Sequence, residues 1–165
     1  MKCTPMQVPR LDNKDVEILR LLQEDCKLST RELATKVNSP VTTVYAKMRR
    51  MEELGLIKGY KAVLNGSKLG IGTTAFILTS VAYRQKDTET LLSQREIAKE
   101  VSKFAEVQEV HIIAGDWDLL IKVRAEDVEA VGRFVIDKLR TVKGIERTLT
   151  CMAFDTVKEG LAIPV

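Results

Sequence analysis

Cysteine, histidine and tryptophan are scarce in this chain: 165 residues carry three Cys, one His and one Trp, and aromatics make up 5%. The cysteines (Cys3, Cys26 and Cys151) lie far apart with no CxxC pair. With a single histidine this excludes the common zinc spacings and any disulfide framework. No Ser/His/Asp or Cys/His set, no phosphate loop and no paired catalytic carboxylates are present, so no enzyme activity, metal or cofactor is expected. No apolar run is long enough to span a membrane, and residues 1–10 lack the apolar stretch of a secretion signal, so a cytoplasmic protein is expected. What is present is 45% apolar residues, enough for real cores, and an uneven charge. Residues 1–64 hold 12 Lys and Arg against 8 Asp and Glu, whereas residues 65–165 hold 14 against 15. The basic excess sits in the first third, where a polyanion would need it.

That first third is organised around residues 29–55. Ser29 and Glu32 have the spacing of a capping box, and Leu28 and Leu33 that of a hydrophobic staple. The helix they open runs to about Val37 and buries Leu33, Ala34 and Val37. Asn38-Ser39-Pro40 breaks the chain, with Ser39 expected to cap a second helix and Pro40 in its first turn. Gly55 ends that helix. At about 100° per residue, Val41, Val44, Met48 and Met51 share one side. Thr42, Thr43, Ala46, Arg49 and Arg50 occupy the other, with Tyr45 and Lys47 on its margins. Small polar and basic residues opposite an apolar stripe suit a DNA major groove. Thr reaches base edges or phosphates, Arg and Lys hold phosphates, and Ala allows close approach. Two short helices with this turn, the second basic, read as a DNA-binding helix-turn-helix. The plain alternative is a helical hairpin with a solvated charged face.

An earlier helix opens at Asp12, a good N-cap with a Leu11/Val16 staple, and carries Val16, Leu19 and Leu22 as its stripe. It is expected to complete a three-helix core. Residues 1–10 form a flexible tail, residues 60–64 a short strand or wing, and residues 65–72 a glycine-punctuated linker. From Thr73 the period changes to that of strands, with Ala75, Ile77, Thr79, Val81 and Tyr83 on one face. A helix follows over 88–104, strands over 107–114 and 119–124 around the turn Gly115-Asp116-Trp117-Asp118, a helix over 127–142, and a last strand over 145–154. The second helix is expected to bury Val128, Val131, Phe134, Val135 and Leu139. The order βαββαβ is the ferredoxin-like plan, an antiparallel sheet with both helices on one face, so the chain is α+β. The uncovered sheet face invites a second copy. His111 reads as a structural histidine, the charged run 94–103 as a solvated helix face. The apolar tail Gly160-Leu161-Ala162-Ile163-Pro164-Val165 is expected to pack on its own domain or on a neighbouring subunit.

These residues together resemble the Lrp/AsnC (feast/famine) family of bacterial and archaeal transcription regulators over about residues 11–155. The likeness runs through Leu11-Asp12 with Asp15, Ile18-Leu19 with Leu22-Gln23 and Asp25, and Ser29 with Arg31-Glu32-Leu33-Ala34. It continues through Val44, Lys47-Met48, Arg50-Met51-Glu52, Gly55, Ile57 and Gly59-Tyr60, and then Val110, Ile113 and Gly115-Asp116-Trp117-Asp118-Leu119-Leu120. The resemblance implies an N-terminal winged helix-turn-helix domain over 11–64 and a C-terminal effector-binding and oligomerisation (RAM) domain over 73–165. It implies homodimers on pseudo-palindromic operators in double-stranded DNA, assembling to tetramers or octamers in the nucleoid, with an amino acid or similar metabolite bound between C-terminal domains. On this basis Thr42, Thr43 and Arg49 approach base edges, Lys47, Arg50 and Lys58 hold phosphates, and Ser39, Tyr45 and Ala46 complete the surface. Lys47 departs from the usual arginine, which loses the bidentate fork.

The family's effector loop corresponds to Gly115, Asp116, Trp117 and Asp118. Backbone N–H groups beside the glycine suit a ligand carboxylate, Asp116 or Asp118 an ammonium, and Trp117 an apolar wall. Thr148 and Thr150 on the last strand are further candidates. The plain alternative is a polar hairpin turn. Two other functions compete: an architectural DNA-coating protein without an effector, and a metabolite-binding or enzymatic module with an incidental helical domain.

Overall fold

The computed structural model describes residues 9–82 and 92–165. Among the described residues the chain divides into two compact units, one up to residue 63 together with 159–165, the other between 64 and 158. The seven C-terminal residues therefore group with the first unit rather than with the sheet that precedes them.

In the first unit, α1 (Asn13–Glu24) opens at Asp12. Its cap is a full capping box: the Asp12 carboxylate accepts from the Asp15 N–H, and the Asp15 carboxylate from the Asp12 N–H. Ser29 and Glu32 make the expected reciprocal pair at the start of α2 (Thr30–Lys36). Asn38 takes the left-handed conformation, φ 47°, which its short polar side chain tolerates better than most. Ser39, expected to cap the next helix, does not. Its hydroxyl donates back to the Val37 carbonyl at 3.3 Å, and Pro40, with φ already at −59°, starts α3 (Val41–Glu53) without a side-chain cap. Gly55 at φ 69° lets Leu56 and Ile57 return their N–H groups to the Met51 carbonyl and close that helix.

The three helices bury Ile18, Leu33, Val37, Val44 and Met51 completely. Each such side chain contributes about 1.5–3 kcal/mol by leaving water. Two stripes differ from expectation. On α1 the inward positions are Asp15 and Ile18, with Leu19, Leu21 and Leu22 packed around them. On α3, Val41 lies 43% exposed at the first turn, before the helix meets its neighbours. The segment 60–64 carries no strand; Val63 is fully solvated.

The C-terminal tail is held by hydrogen bonds between its backbone and side chains of α1. Gln23 on α1 exchanges two with Ile163 (2.7 and 3.1 Å), and the Arg20 Nε donates to the Val165 carbonyl at 2.7 Å. Leu161 and Ile163 stay exposed in the single chain, so within it hydrogen bonds rather than apolar packing hold the tail.

In the second unit a short 3₁₀ turn (Ser67–Leu69) precedes β1 (Thr73–Val81). Then come α4 (Gln94–Val101), β2 (Val107–Ile112), β3 (Leu119–Ala125), α5 (Val128–Arg133) and β4 (Ile145–Met152). The strands form one antiparallel sheet in the order β2-β3-β1-β4, as the ferredoxin-like plan requires. Alternate residues Ala75, Ile77, Thr79 and Val81 are buried under the helices as expected; Tyr83 and residues 88–91 of the expected first helix lie outside the described residues. α5 does not continue as one α-helix. It widens into a π turn over Phe134–Lys138 and tightens into a 3₁₀ turn over Leu139–Thr141. The extra residue rephases the stripe, so that Leu139 is fully buried and Lys138 is free to pair with Glu106 at 2.5 Å. Val128, expected inside, is 65% exposed because it is the first residue past the Asp127 cap. Phe104 meets Phe134 edge to face at 5.6 Å in the core.

Candidate nucleic-acid interface and effector loop

Two turns of α3 stay uncovered. Thr42, Thr43, Tyr45, Ala46, Arg49 and Arg50 are all exposed, while Val44 and Met51 on the opposite side anchor the helix. The helix thus presents a rigid strip of hydroxyls, one ring and two guanidiniums, with nothing bulky at Ala46. Two shallow concavities run side by side along it and share Thr42. One is lined by Ser29, Thr30, Arg31, Val41, Thr42 and Tyr45, and the other by Thr42, Thr43, Ala46, Lys47 and Arg50. Arg31 on α2 was absent from the sequence-derived interface. Its charge, one turn before the buried Ala34 at the margin of the α2 stripe, was the signal for it, and it is exposed. Lys58, beyond Gly55, is exposed. Ser39 is half-buried and turned toward Val37.

The cations of the strip are not equivalent. Arg49 pairs with Glu53 at 3.1 Å on the solvent side, both side chains about two-thirds exposed, a pair worth only a few tenths of a kcal/mol. Lys47 is 19% exposed and donates to two carboxylates, Asp12 at 2.5 Å and Asp15 at 2.9 Å. The hydrogen bond to Asp12, and after it that to Asp15, hold its ammonium above the usual lysine range. Arg50 reaches Asp15 at 3.5 Å and donates to the Arg10 carbonyl at 3.1 Å. Tyr60, next to Gly59, donates to Glu52 at the end of α3 at 2.9 Å. Partial burial and then that carboxylate push its phenol up to about 12.

In the second unit, Gly115 (φ 129°) and Asp116 are exposed and Trp117 is half-buried, with the Arg147 guanidinium 5.1 Å from its ring centroid. Asp118 faces inward. Its carboxylate accepts from the Val81 N–H at 2.8 Å and the Gln94 side-chain amide at 2.6 Å, and its own N–H bonds the Thr79 carbonyl. Thr148 stands opposite Thr79 in the sheet and accepts from Arg140 at 3.1 and 3.2 Å, and Thr150 stands opposite Ile77. Both threonines therefore share the helix-covered face, at and next to the sheet end that carries the loop. His111 is exposed and lies 3.2 Å from Glu109.

A uncovered, partly basic recognition helix joined to a βαββαβ unit defines a helix-turn-helix regulator with a sensory domain. Family models agree: residues 11–58 match the winged helix-turn-helix DNA-binding domain, and residues 74–163 match the Lrp/AsnC ligand binding domain. A helix-turn-helix-type transcriptional regulator of Pyrococcus abyssi is 47% identical over 146 residues, 86% of this chain and 94% of its own. The regulator FL11 of Pyrococcus horikoshii is 31% identical over 160 residues, 97% of this chain and 99% of its own. Among solved structures, the transcriptional regulator NMB0573 of Neisseria meningitidis, in complex with L-Met, superposes with a TM-score of 0.85 at 26% identity, covering 94% of this chain and 97% of that one. The chain belongs to the Lrp/AsnC family of transcriptional regulators. It is a DNA-binding regulator with a ligand-binding domain, and its relatives are regulators rather than enzymes. No helix among the described residues is long and apolar enough to cross a membrane.

Proposed function

We propose that this regulator binds pseudo-palindromic operators as a homodimer, and that an amino acid or similar small metabolite held at residues 115–118 modulates its DNA affinity or assembly. The observation that carries the DNA half is the strip Thr42, Thr43, Tyr45, Ala46 and Arg49, left uncovered on a helix whose other side is locked into the core. Hydroxyls reach base edges or phosphates, Ala46 admits the groove wall, and Arg49 reads bases while Arg31 and Lys58 hold phosphates. Self-association is supported by the helix-free sheet face. Phe76 (38% exposed) and Leu149 (45%) stand there with Leu78, Leu120 and Cys151, bordered by the Glu109–Lys122 pair. Further assembly of dimers into tetramers or octamers, and residence in the nucleoid, accompany this reading.

For the effector, the exposed Gly115 and Asp116 and the Trp117 face offer backbone donors, a carboxylate and an apolar wall, and the L-Met bound by the meningococcal relative is a ligand of that chemistry. Trp117 is the single tryptophan in the chain, so its emission reports the loop directly. Titrating the protein with each common amino acid at millimolar concentration is expected to shift that emission for one or a few of them. The same ligands are expected to raise the unfolding temperature, since about 2.7 kcal/mol is gained at a hundred times the dissociation constant. One observation favours the architectural alternative: Asp118, a candidate ammonium partner, is already bonded within its own fold. Silence in both readouts across all amino acids would exclude an amino-acid effector and leave the architectural alternative or an effector of another class.

A further inference from the structure

Asp15 is 1% exposed, yet it lies on the first turn of α1 and carries two cations of α3. One oxygen accepts from Lys47 at 2.9 Å; the other accepts from the Asp12 N–H at 3.0 Å and lies 3.5 Å from Arg50. Asp12 adds a second carboxylate to Lys47. The capping box that starts α1 is therefore also the clamp that crosses to the recognition helix, and Lys47, Arg50, Thr42, Thr43 and Ala46 line one concavity. A pair of carboxylate oxygens presented to an ammonium and a guanidinium has the charge and donor demand of a phosphodiester.

We propose that Asp15, with Asp12, is a specificity-determining positioning pair: it occupies Lys47 and Arg50 in place of DNA phosphates, and so withholds sequence-independent affinity from the recognition helix. This rests on the DNA-binding reading above. Affinity from phosphate contacts is the same on every sequence, whereas contacts from Thr42, Thr43 and Arg49 are not. Sequestering two cations lowers the first and leaves the second. The same clamp fixes the rotation of α3 about its axis, so the hydroxyls meet the groove in one orientation. A buried carboxylate is tolerated here because every oxygen is hydrogen-bonded to a cation or a backbone N–H.

The test uses the full-length protein, a labelled random-sequence 30-base-pair duplex as probe, and binding measured from 50 to 200 mM KCl. Asp15→Asn keeps shape and acceptor but drops the charge. It is expected to steepen the dependence of log K on log salt by roughly 0.9 for each cation released, which is roughly three- to twelve-fold in the variant-to-wild-type affinity ratio across that range. It is also expected to bind the random duplex more tightly than wild type at 50 mM. A merely structural role for Asp15 predicts weaker binding with an unchanged slope, and that result overturns the proposal. Lys47→Gln provides the second reading, independent of whether Asp15→Asn folds. A sequestered Lys47 leaves the slope unchanged on removal, whereas a loss of roughly 0.9 means it already holds a phosphate and contradicts the proposal. Wild-type protein with no salt-dependent binding at all would instead overturn the DNA-binding reading, and this inference with it.

Discussion

The carboxylate of Asp118 accepts the backbone N–H of Val81 at 2.8 Å, just past the end of the β1–β3 ladder, whose last pairing is Thr79 with Leu119. Val81 lies two residues beyond that pairing, and Asp118 satisfies its N–H while also holding Gln94 at the start of α4. A residue chosen from sequence for a ligand role thus has a structural one. Asp118→Ala is expected to cost about 1–3 kcal/mol, the penalty for leaving such a donor unsatisfied. Chemical denaturation followed by circular dichroism measures it; an unchanged midpoint would show that the Val81 bond contributes nothing.

Thr79 is fully buried and its hydroxyl has no hydrogen-bond partner among the described residues. Thr79→Val keeps the shape and removes the unsatisfied group. The variant is expected to be as stable as wild type or up to about 1 kcal/mol more stable, against the usual direction for a core substitution. A loss in denaturation midpoint would mean that the hydroxyl is satisfied in solution.

Gly144 turns the chain into β4 at φ 93°, and an added Cβ would stand 2.6 Å from Ile97 Cδ1 and 3.1 Å from Leu92 Cδ1. Strained backbone and overpacking act together, so Gly144→Ala is expected to destabilise by about 2–4 kcal/mol. Thermal unfolding tests this, with Gly132→Ala as control, since nothing lies near a Cβ there.

Acid acts on the second unit through Glu106. Its hydrogen bond to Lys138 holds the carboxyl below its ordinary value of 4.5. A depressed carboxylate contributes stability above its unfolded value, and that contribution disappears as pH falls through the folded one. Wild type is therefore expected to exceed Glu106→Gln in stability at pH 7, with the difference shrinking below about pH 4.5. A constant difference from pH 7 to pH 3 would exclude the ion pair as its source.

Local signals made much of the fold legible. Caps at Asp12 and Ser29, the glycine at 55 and the alternation from Thr73 to Val81 act within a few residues, and the structure carries all of them. Ser39 misled because two adjacent residues competed for one role, and the proline needs no side-chain cap. The π turn after Arg133 was illegible, since it answers to the spacing of the sheet below rather than to its own sequence. At the interface, face assignment on α3 could be read from helical period, but the state of its charges could not. Lys47 and Arg50 look free on a helical wheel; their partner Asp15 lies more than thirty residues away and reads as one more polar residue of a capped first turn. Asp118 escaped for the same reason, its donors coming from β1 and α4.

On this account α3 reads base sequence through the hydroxyls of Thr42 and Thr43 together with Arg49. Selection and sequencing of bound duplexes from a random 30-base-pair pool tests it, run in parallel with wild type and with Thr42→Ala/Thr43→Ala. Wild type is expected to enrich a pseudo-palindromic motif. The double variant is expected to relax specific positions in each half-site, at about 1–3 kcal/mol per lost base contact, with its salt dependence on random duplex unaltered. No enriched motif for wild type, or the same motif for both proteins, would contradict the account.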